Sequence, residues 1–228
     1  MALILNIETA TEICSVAISE GEQLLTLQES DDPFSHSKII TLLIEKCVKE
    51  TKINLRDLDA VAVSQGPGSY TALRVGASAA KGICYALNKP LIAVDTLQSI
   101  ALATYEKEKT EALYCPMIDA RRMEVYCKMF DVGNKAVTKL ESKVIDESSY
   151  NNYFASNQKI IFSGNGAEKC MAVLKSPLAV FSRVYCSAAN LISLSQESYK
   201  EQKFTDPAYF IPNYHKSPNI TTPKKRVL

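Results

Sequence analysis

The stretch SQGPGSYTALRVG, residues 64–76, contains the turn that decides the fold. It follows an apolar run at Ala60–Ser64 and leads into a helical pattern over Thr71–Leu87. A buried strand, a glycine-rich turn and a helix in this order are typical of a sheet protein of the α/β class. The turn therefore predicts a strand–helix unit as the building block of the chain.

Two interpretations of this turn stay open from its residues. Gly66 and Gly68 can adopt positive φ, Ser69 or Thr71 can cap the helix, and Gly76 allows the helix to pack closely on the sheet. The turn is then purely structural. Exposed amides at a helix start also attract anions, so a phosphate or carboxylate site is the second interpretation. Neither GxxxxGK[ST] nor GxGxxG can be drawn here.

The elements around the turn predict an α/β fold in two related halves. In the first half the patterns predict strands at Ala2–Ile7, Cys14–Ser19, Leu24–Gln28, Ala60–Ser64 and Leu91–Val94, with helices at Ser35–Glu50, Thr71–Leu87 and Thr96–Tyr105. The second half predicts strands at Tyr114–Asp119, Glu124–Phe130, Ala136–Val144 and Lys159–Ser163, a helix-permitting stretch at Glu147–Ala155 and a short helix at Ala167–Leu174.

This order describes a duplicated ribonuclease-H-like unit, as in the actin-like (ASKHA) fold, with a mixed five-stranded sheet and helices in each half. The expected halves are residues 1–104 and 105–228, with the last segment packing back on the first half. A single α/β domain with an unrelated appendage is the alternative.

Composition limits the functional classes. The net charge is +1, from 26 basic and 25 acidic side chains, whereas nucleic-acid binding through phosphates favours a basic surplus. The basic tail 221–228 is interpreted as a solvated terminus. Seven scattered cysteines without a CxxC pair indicate reduced, buried thiols. No apolar stretch approaches the ~20 residues of a membrane span, and Met1 leads directly into a strand, so we expect a cytoplasmic protein.

The run QGPGSYTALRVG at 65–76 resembles the GPGSFTGLRIG signature of the bacterial TsaB (YeaZ) family. Further segments agree in the same order, and after residue 126 the similarity becomes weaker, so residues 127–200 match too loosely to carry over single positions. The agreeing segments are LILNIETAT (3–11), HS (36–37), AKG (80–82), PLIAVDTLQSIA (90–101), DARRMEVY (119–126) and GNG (164–166).

The resemblance implies the actin-like fold and a role in making threonylcarbamoyladenosine in tRNAs that read ANN codons. A TsaB-like protein is a non-catalytic partner subunit that binds the catalytic subunit TsaD through its N-terminal half. It works with the ATPase TsaE, meets tRNA only through the complex, and forms homodimers with much the same surface. A nucleotide, ATP or ADP, at the interface with the partner subunits stays open.

A metal site is not expected. The catalytic relative carries two histidines one helical turn apart, which places both imidazoles on one face. Here Ile40 follows His36 at that spacing, and the other histidine is His215. His36 is therefore interpreted as a capping or interface residue, and no catalytic residue is predicted.

Two charged positions have roles that the residues leave open. Glu8 ends the first strand where relatives usually have Asp, and Ala10 replaces a usual Ser, which makes efficient ATP hydrolysis doubtful although Thr9 and Thr11 remain. The second is a charged cluster of Asp119, Arg121, Arg122 and Glu124. It predicts either a solvated hairpin with ion pairs or a contact of the two arginines with a partner or with tRNA.

A partner surface is predicted on two helices, because apolar residues of the first exceed a single stripe and the second is rich in alanine and glycine. The predicted interface residues are His36, Ile39, Ile40, Leu43, Leu73, Arg74, Ala77 and Ala80. Burial of the first helix under the C-terminal segment is the alternative.

Three departures from the family pattern are Tyr70 for Phe, Ala72 for Gly, and Ile211 where relatives tend to have Arg. The alternative function is a stand-alone enzyme of the same superfamily, glycoprotease-like or an ATP-dependent phosphotransferase. It needs a metal site or an activated nucleophile, and neither is visible. A nuclease needs several carboxylates, of which Glu8 and Asp95 are candidates without an evident third.

Overall fold

The computed structural model describes residues 1–30 and 36–216 as two β-sheets with helices packed against them. The first half comprises β1 (Leu3–Glu8), β2 (Cys14–Glu20), β3 (Gln23–Ser30), α1 (His36–Thr51), β4 (Ala60–Ser64), α2 (Tyr70–Leu87), β5 (Leu91–Val94) and α3 (Thr96–Glu108). The second half comprises β6 (Leu113–Asp119), β7 (Glu124–Cys127), β8 (Glu141–Val144), α4 (Asn151–Ala155), β9 (Ile160–Ser163), α5 (Ala167–Cys170), β10 (Ala179–Phe181) and α6 (Ile192–Lys200). Short 3-10 turns lie at Leu55–Asp57 and Ala188–Leu191.

The two sheets have the same topology. The first has the order β3-β2-β1-β4-β5, and the second, written from its other edge, has the equivalent order β8-β7-β6-β9-β10. In each sheet the first three strands form an antiparallel meander, and the later strands run parallel to the first. The predicted duplicated α/β fold with two mixed five-stranded sheets is therefore confirmed.

The first sheet is buried on both faces because its central strands alternate between two cores. Leu5 and Ile7 of β1 pack with α1 and α2, whereas Ile4 of β1 and Ala62 of β4 pack with Leu194 of α6. Successive side chains of a strand point to opposite faces, so each strand supplies both cores. The C-terminal helix α6 thus covers the second face of the N-terminal sheet.

The two halves meet along α3 and the first turn of α2. Leu73 and Leu97 from the first half share one buried cluster with Tyr114, Ile118 and Phe130 from the second. The expected boundary between residues 104 and 105 falls inside α3, which runs to Glu108. None of the described helices is both long and apolar enough to cross a membrane.

The second half departs most from the predicted elements. Strand β7 ends at Cys127 rather than Phe130, because Phe130 forms isolated bridges with Tyr114 and Ala136 instead of continuing the strand. Likewise β8 covers only Glu141–Val144, α4 begins at Asn151, and α5 ends at Cys170. Strand β10 and helix α6 were not predicted. Both lie within residues 127–200, where the similarity to the family is weak.

Candidate functional site

The glycine-rich turn is held by backbone contacts that leave no space for side chains at two of its glycines. Gly66 has a φ of +99°, and a Cβ there would lie 2.5 Å from the carbonyl oxygen of Asn213. Its amide donates to Thr96 Oγ1 at 3.0 Å. A Cβ on Gly68 would lie 2.4 Å from the carbonyl oxygen of Ala10. A glycine is thus needed at position 66 both for the positive φ and for the close contact with Asn213. At position 68 it is needed for the close contact with Ala10.

Of the two glycines that could adopt a positive φ, Gly66 does and Gly68 does not. Close contact with the β1–β2 turn explains that glycine instead, since the amide of Ser69 donates to the carbonyl of Ala10 at 2.7 Å. A Cβ on Gly76, about two helical turns after Ser69, would lie 2.3 Å from Thr9 Oγ1. The turn and α2 therefore pack directly on the loop that follows β1.

The predicted side-chain cap of α2 is absent. Ser69 occupies the N-cap position, but its hydroxyl makes no capping hydrogen bond, and Thr71 lies inside the first turn of the helix. The first intrahelical bond runs from Leu73 N to Ser69 O at 2.9 Å. The amides of Tyr70, Thr71 and Ala72 precede it and have no intrahelical acceptor. Capping of α1 by Ser35 lies outside the described residues, and Ser37 lies within the helix.

A cleft of about 570 Å³ opens in front of this helix start, between the two halves. Thr11, His36 and Tyr70 line it from the first half, and Asp119 and Arg121 line it from the second. The turn after β1 and the turn after β6 are equivalent in the duplicated topology, so the cleft lies where the two copies of the unit face each other. Predicted residues from both halves thus come together in this cleft.

Four buried polar atoms, at the end of β1, in the turn after it and at the start of α1, have no hydrogen-bond partner among residues 1–30 and 36–216. They are Glu8 Oε2, Thr9 Oγ1, Thr11 Oγ1 and His36 Nε2. The other carboxylate oxygen of Glu8, Oε1, accepts from the amide of Ala10 at 2.6 Å. Burial raises the pKa of Glu8 to about 7, against the lowering effect of that hydrogen bond. A carboxyl group in this state is a poor permanent anion for placing a metal-bound phosphate.

The hairpin after β6 is stabilised by lysines from distant segments. Asp119 pairs with Lys169 of α5, and Glu124 pairs with Lys216 near the end of the described chain. The amide of Arg121 also donates to Asp119 Oδ1 at 2.8 Å. The ion pairs expected here are therefore present, but their cations are lysines that the sequence pattern did not single out. The hydrogen bond from Lys216 lowers the pKa of Glu124, and a hydrogen bond from Ser142 and the nearby charge of Lys169 lower it further.

Arg121 and Arg122 adopt left-handed backbone conformations with φ of +73° and +52°. Their side chains are exposed, and neither makes an ion pair within the described residues. Arg121 lines the cleft, whereas Arg122 does not. The two guanidinium groups are thus available to a ligand or partner, as one of the two sequence interpretations requires.

His36 has no second metal-binding side chain one helical turn further along α1. The residue one helical turn later, Ile40, is 3% exposed and belongs to the core under α1. Across residues 1–30 and 36–216, no three His, Cys, Asp or Glu side chains lie close enough together to hold a metal ion. His215 packs against the ring of Tyr126 with a centroid distance of 5.6 Å.

The predicted partner surface is largely internal. His36, Ile40, Leu43, Leu73, Ala77 and Ala80 are all buried within the chain itself. Ile40 and Leu43 face the sheet, and Leu73 packs between the two halves. These six side chains cannot contact a partner in this conformation, so that part of the prediction is corrected. Ile39 is half-buried and Arg74 is exposed, and both remain accessible on the same helices.

Other apolar side chains lie on the outer side of α1 and α2. Leu42 is 52% exposed and Tyr85 is 90% exposed. A Cβ on Gly82 of α2 would meet nothing within 4 Å, so the helix surface is open there. The exposed apolar side chains thus lie on the two helices predicted to form the partner surface, but they are not the residues predicted for it.

The C-terminal segment packs on the first half, as expected from the sequence, and it also reaches the rim of the cleft, which the sequence did not indicate. Asn213 N donates to the carbonyl of Gln65 at 2.7 Å, and the ring of Tyr214 lies 4.4 Å from that of Tyr70. The ion pair between Lys216 and Glu124 then joins this segment to the second half. Aromatic residues this far apart in sequence give no local signal of their contact. Ile211, where relatives tend to have Arg, is 74% exposed.

Comparison with known proteins places this architecture among proteins of tRNA modification. Residues 34–216 match the family model described as "TsaD: tRNA N6-adenosine threonylcarbamoyltransferase". The chain is 31% identical over 156 residues to "tRNA threonylcarbamoyladenosine biosynthesis protein TsaB" of Buchnera aphidicola, covering 65% of this chain and 70% of that protein. The protein of the same name from Haemophilus influenzae is 34% identical over 123 residues, which cover 54% of this chain and 51% of the relative.

The solved structure of YeaZ from Pseudomonas aeruginosa superposes with a TM-score of 0.81 at 23% identity, covering 94% of this chain and 100% of that one. At this identity the superposition supports the fold, while the sequence matches support the family. The chain spans about half the length of the Haemophilus relative and about two thirds of the Buchnera relative.

Proposed function

The chain belongs to the TsaB (YeaZ) family, and from this we propose that it takes part in the biosynthesis of threonylcarbamoyladenosine in tRNA as a non-catalytic partner subunit. In this proposal a TsaD-like subunit performs the transfer, a TsaE-like ATPase assists it, and the substrates are tRNAs that read ANN codons. The relationship to proteins named for this pathway supports the pathway assignment. The chain meets tRNA only through the assembled complex.

One observation carries the non-catalytic part of the proposal. The helix that begins at His36 has Ile40 at the position where a second imidazole would complete a metal-binding pair, and Ile40 is packed into the core of the first half. A single imidazole on this helix does not form the two-histidine face of the catalytic relative. The transfer chemistry is therefore assigned to the partner.

The outer side of α1 and α2 is the proposed partner face, defined by Ile39, Leu42, Arg74 and Tyr85. Large exposed apolar and aromatic side chains on the same pair of helices as an exposed arginine are typical of protein interfaces. The open surface at Gly82 allows another helix to approach closely. We assign the same face to the homodimer, so a TsaD-like subunit and a second copy of this chain compete for it.

Binding assays with Leu42→Glu test this face. The change places a carboxylate on an apolar side chain that is 52% exposed, so folding is preserved and capture of a TsaD-like subunit is lost. Val144→Glu is the matched control, because Val144 is 65% exposed on β8 of the other half. Unchanged capture by Leu42→Glu, or equal loss with Val144→Glu, contradicts the assigned face.

Reconstitution tests the function itself. Threonylcarbamoyl transfer to tRNA is measured with TsaD-like and TsaE-like subunits, with and without this chain, and we expect transfer only when it is present. Adding ATP or ADP to the capture assay tests whether a nucleotide strengthens the subunit interface. Full transfer without the chain, or an enzyme-like rate of ATP hydrolysis by the chain alone, overturns the partner-subunit proposal.

A further inference from the structure

We propose that charge on the partner face selects its occupant: the face binds an acidic, partly apolar protein surface in preference to a second copy of this chain. This selection rests on the proposed function, which assigns the partner face to the outer side of α1 and α2 and lets two occupants compete for it. The distribution of charge between these two helices and the rest of the chain supports it.

The two helices of the partner face carry a surplus of basic side chains. Together α1 and α2 contain five lysines and arginines and two glutamates, whereas the whole chain has 26 basic and 25 acidic side chains. The 18 residues of α2 include no acidic side chain. The chain is therefore basic on these helices and slightly acidic in the sum of its other residues.

Both glutamates of α1 are already engaged within the chain. Glu45 pairs with Lys49 of the same helix at 2.5 Å. Glu50 Oε2 accepts from Thr26 Oγ1 at 2.6 Å and from Gln28 Nε2 at 2.8 Å, which holds this carboxylate against β3. The acidic groups of α1 are thus not available to neutralise the remaining cations of the face.

The remaining cations have no acidic partner. Lys38, Lys46 and Arg74 are exposed and make no ion pair among residues 1–30 and 36–216. Lys81 Nζ donates to two backbone carbonyl oxygens instead of a carboxylate. Uncompensated cations on one face attract a partner surface of opposite charge and speed its encounter.

Apolar side chains on the same side of the molecule favour a protein over RNA as this partner. Leu42 of α1 is 52% exposed and Tyr85 of α2 is 90% exposed. The C-terminal segment lies along α2, because Lys81 donates to the carbonyl oxygens on either side of Tyr209 at 3.3 and 3.2 Å. Tyr209 and Ile211 of this segment are 82% and 74% exposed. Apolar and aromatic residues beside arginine are typical of protein interfaces, whereas phosphate binding relies on cations alone.

A second copy of the chain would bring the same basic surplus to the contact. A two-fold homodimer places the same patch of both copies face to face, so the unpaired cations of α1 and α2 would oppose their own counterparts. Like charges across an interface disfavour binding, while the apolar side chains stabilise either complex. Charge therefore distinguishes the two occupants, and an acidic partner surface is favoured.

Salt dependence tests this selection. Analytical ultracentrifugation measures the homodimer, and a capture assay measures the complex with a TsaD-like subunit. Both are run at about 50 and about 500 mM NaCl, between which the Debye length falls from about 14 Å to about 4 Å. We expect the higher salt concentration to strengthen the homodimer and to weaken the complex, each about threefold or more.

Charge-reversing substitutions separate attraction from packing. Lys38→Glu combined with Arg74→Glu leaves three basic and four acidic side chains on the two helices. We expect the homodimer of this variant to strengthen and its capture of the TsaD-like subunit to weaken, each about fivefold or more. Lys139→Glu combined with Lys175→Glu, at exposed positions of the second half, is the matched control and changes neither.

Opposite changes in the two assays support the selection, because damage to the fold or to packing would weaken both complexes. Parallel changes in both assays, or equal effects of the control pair, overturn it. If no homodimer forms under any condition, weakened capture by the charge-reversed variant supports the selection and unchanged capture overturns it. Binding of tRNA by the chain alone that is lost in this variant assigns the cations to RNA and also overturns it.

Leu42→Glu tests the partner face separately. Capture that is lost with Leu42→Glu but insensitive to salt and to charge reversal refutes the charge selection and leaves the proposed function intact. Capture that is unchanged by Leu42→Glu contradicts the assigned face itself.

Discussion

Glu8 should make the stability of this protein fall as the pH rises through the weakly acidic range. Its side chain is fully buried at the end of β1, and burial raises its pKa from 4.5 to about 7. Below pH 4.5 both the folded and the unfolded chain hold the proton. Between pH 4.5 and about 7 only the folded chain does, so unfolding releases a proton and becomes easier as the pH rises.

The expected loss follows from the two pKa values. Each pKa unit corresponds to about 1.4 kcal/mol, so the interval from 4.5 to about 7 corresponds to about 3 kcal/mol of unfolding free energy. Above pH 7 the loss is complete, and the protein then holds a buried, ionised carboxylate. For a domain whose total stability is about 5–15 kcal/mol this is a large fraction.

Urea unfolding of the wild type and of Glu8→Gln at about pH 4 and about pH 8 measures the effect. The glutamine retains the oxygen that accepts from Ala10 N, but it carries no charge at any pH. The wild type should therefore lose about 3 kcal/mol more than the variant between these two pH values. Glu12→Gln, on the exposed side of the same turn, controls for the change in net charge. Parallel stability profiles for wild type and Glu8→Gln refute the reasoning.

Three further substitutions test the packing of α2 and one buried hydrogen bond. Gly76→Ala should destabilise the chain by about 1–3 kcal/mol, because its Cβ meets Thr9 Oγ1, whereas Gly82→Ala in the open part of the same helix should stabilise it by about 0.5–1 kcal/mol. Thermal unfolding of both variants checks the pair, and equal shifts would contradict the close approach at Gly76. Ser195→Ala should cost about 1–3 kcal/mol in urea unfolding, because it removes the buried donor to Asn6 Oδ1; a loss below about 0.5 kcal/mol would show that this bond is not needed.

The first half could be predicted closely because its pattern is simple. The strands Ala60–Ser64 and Leu91–Val94 have the predicted bounds, since each is a short apolar run between polar or proline breaks and is buried on both faces. In the second half, Phe130 leaves its strand to pair with Tyr114, which depends on tertiary contact and not on local pattern. Helix α6 has few apolar residues, and its contacts with the first sheet join parts of the chain far apart in sequence.

The candidate site was predictable only in part for the same reason. The residues 66–76 carry a local signal, whereas Lys216 and Tyr214 reach the cleft from a distant segment. Lys169, also distant in sequence, pairs with Asp119 of the cleft wall. The partner surface was misplaced because the apolar residues of α1 form two sides. Ile40 and Leu43 belong to the inward stripe, and Leu42 lies outside it. Helical spacing assigns each residue of α1 to the buried or the exposed side only when the side of the helix that faces the sheet is known.

The position of α6 has a consequence for synthesis of the protein. Ile4, Ala60 and Ala62 of the first sheet are covered by Leu191 and Leu194, which the ribosome adds only after all strands of the second sheet. Until then one apolar face of the first sheet stays uncovered in the nascent chain and accessible to chaperones, although the strands and helices of the first half have already been synthesised. The two halves therefore do not mature one after the other, and a nascent chain released before residue 191 would be a substrate for quality control.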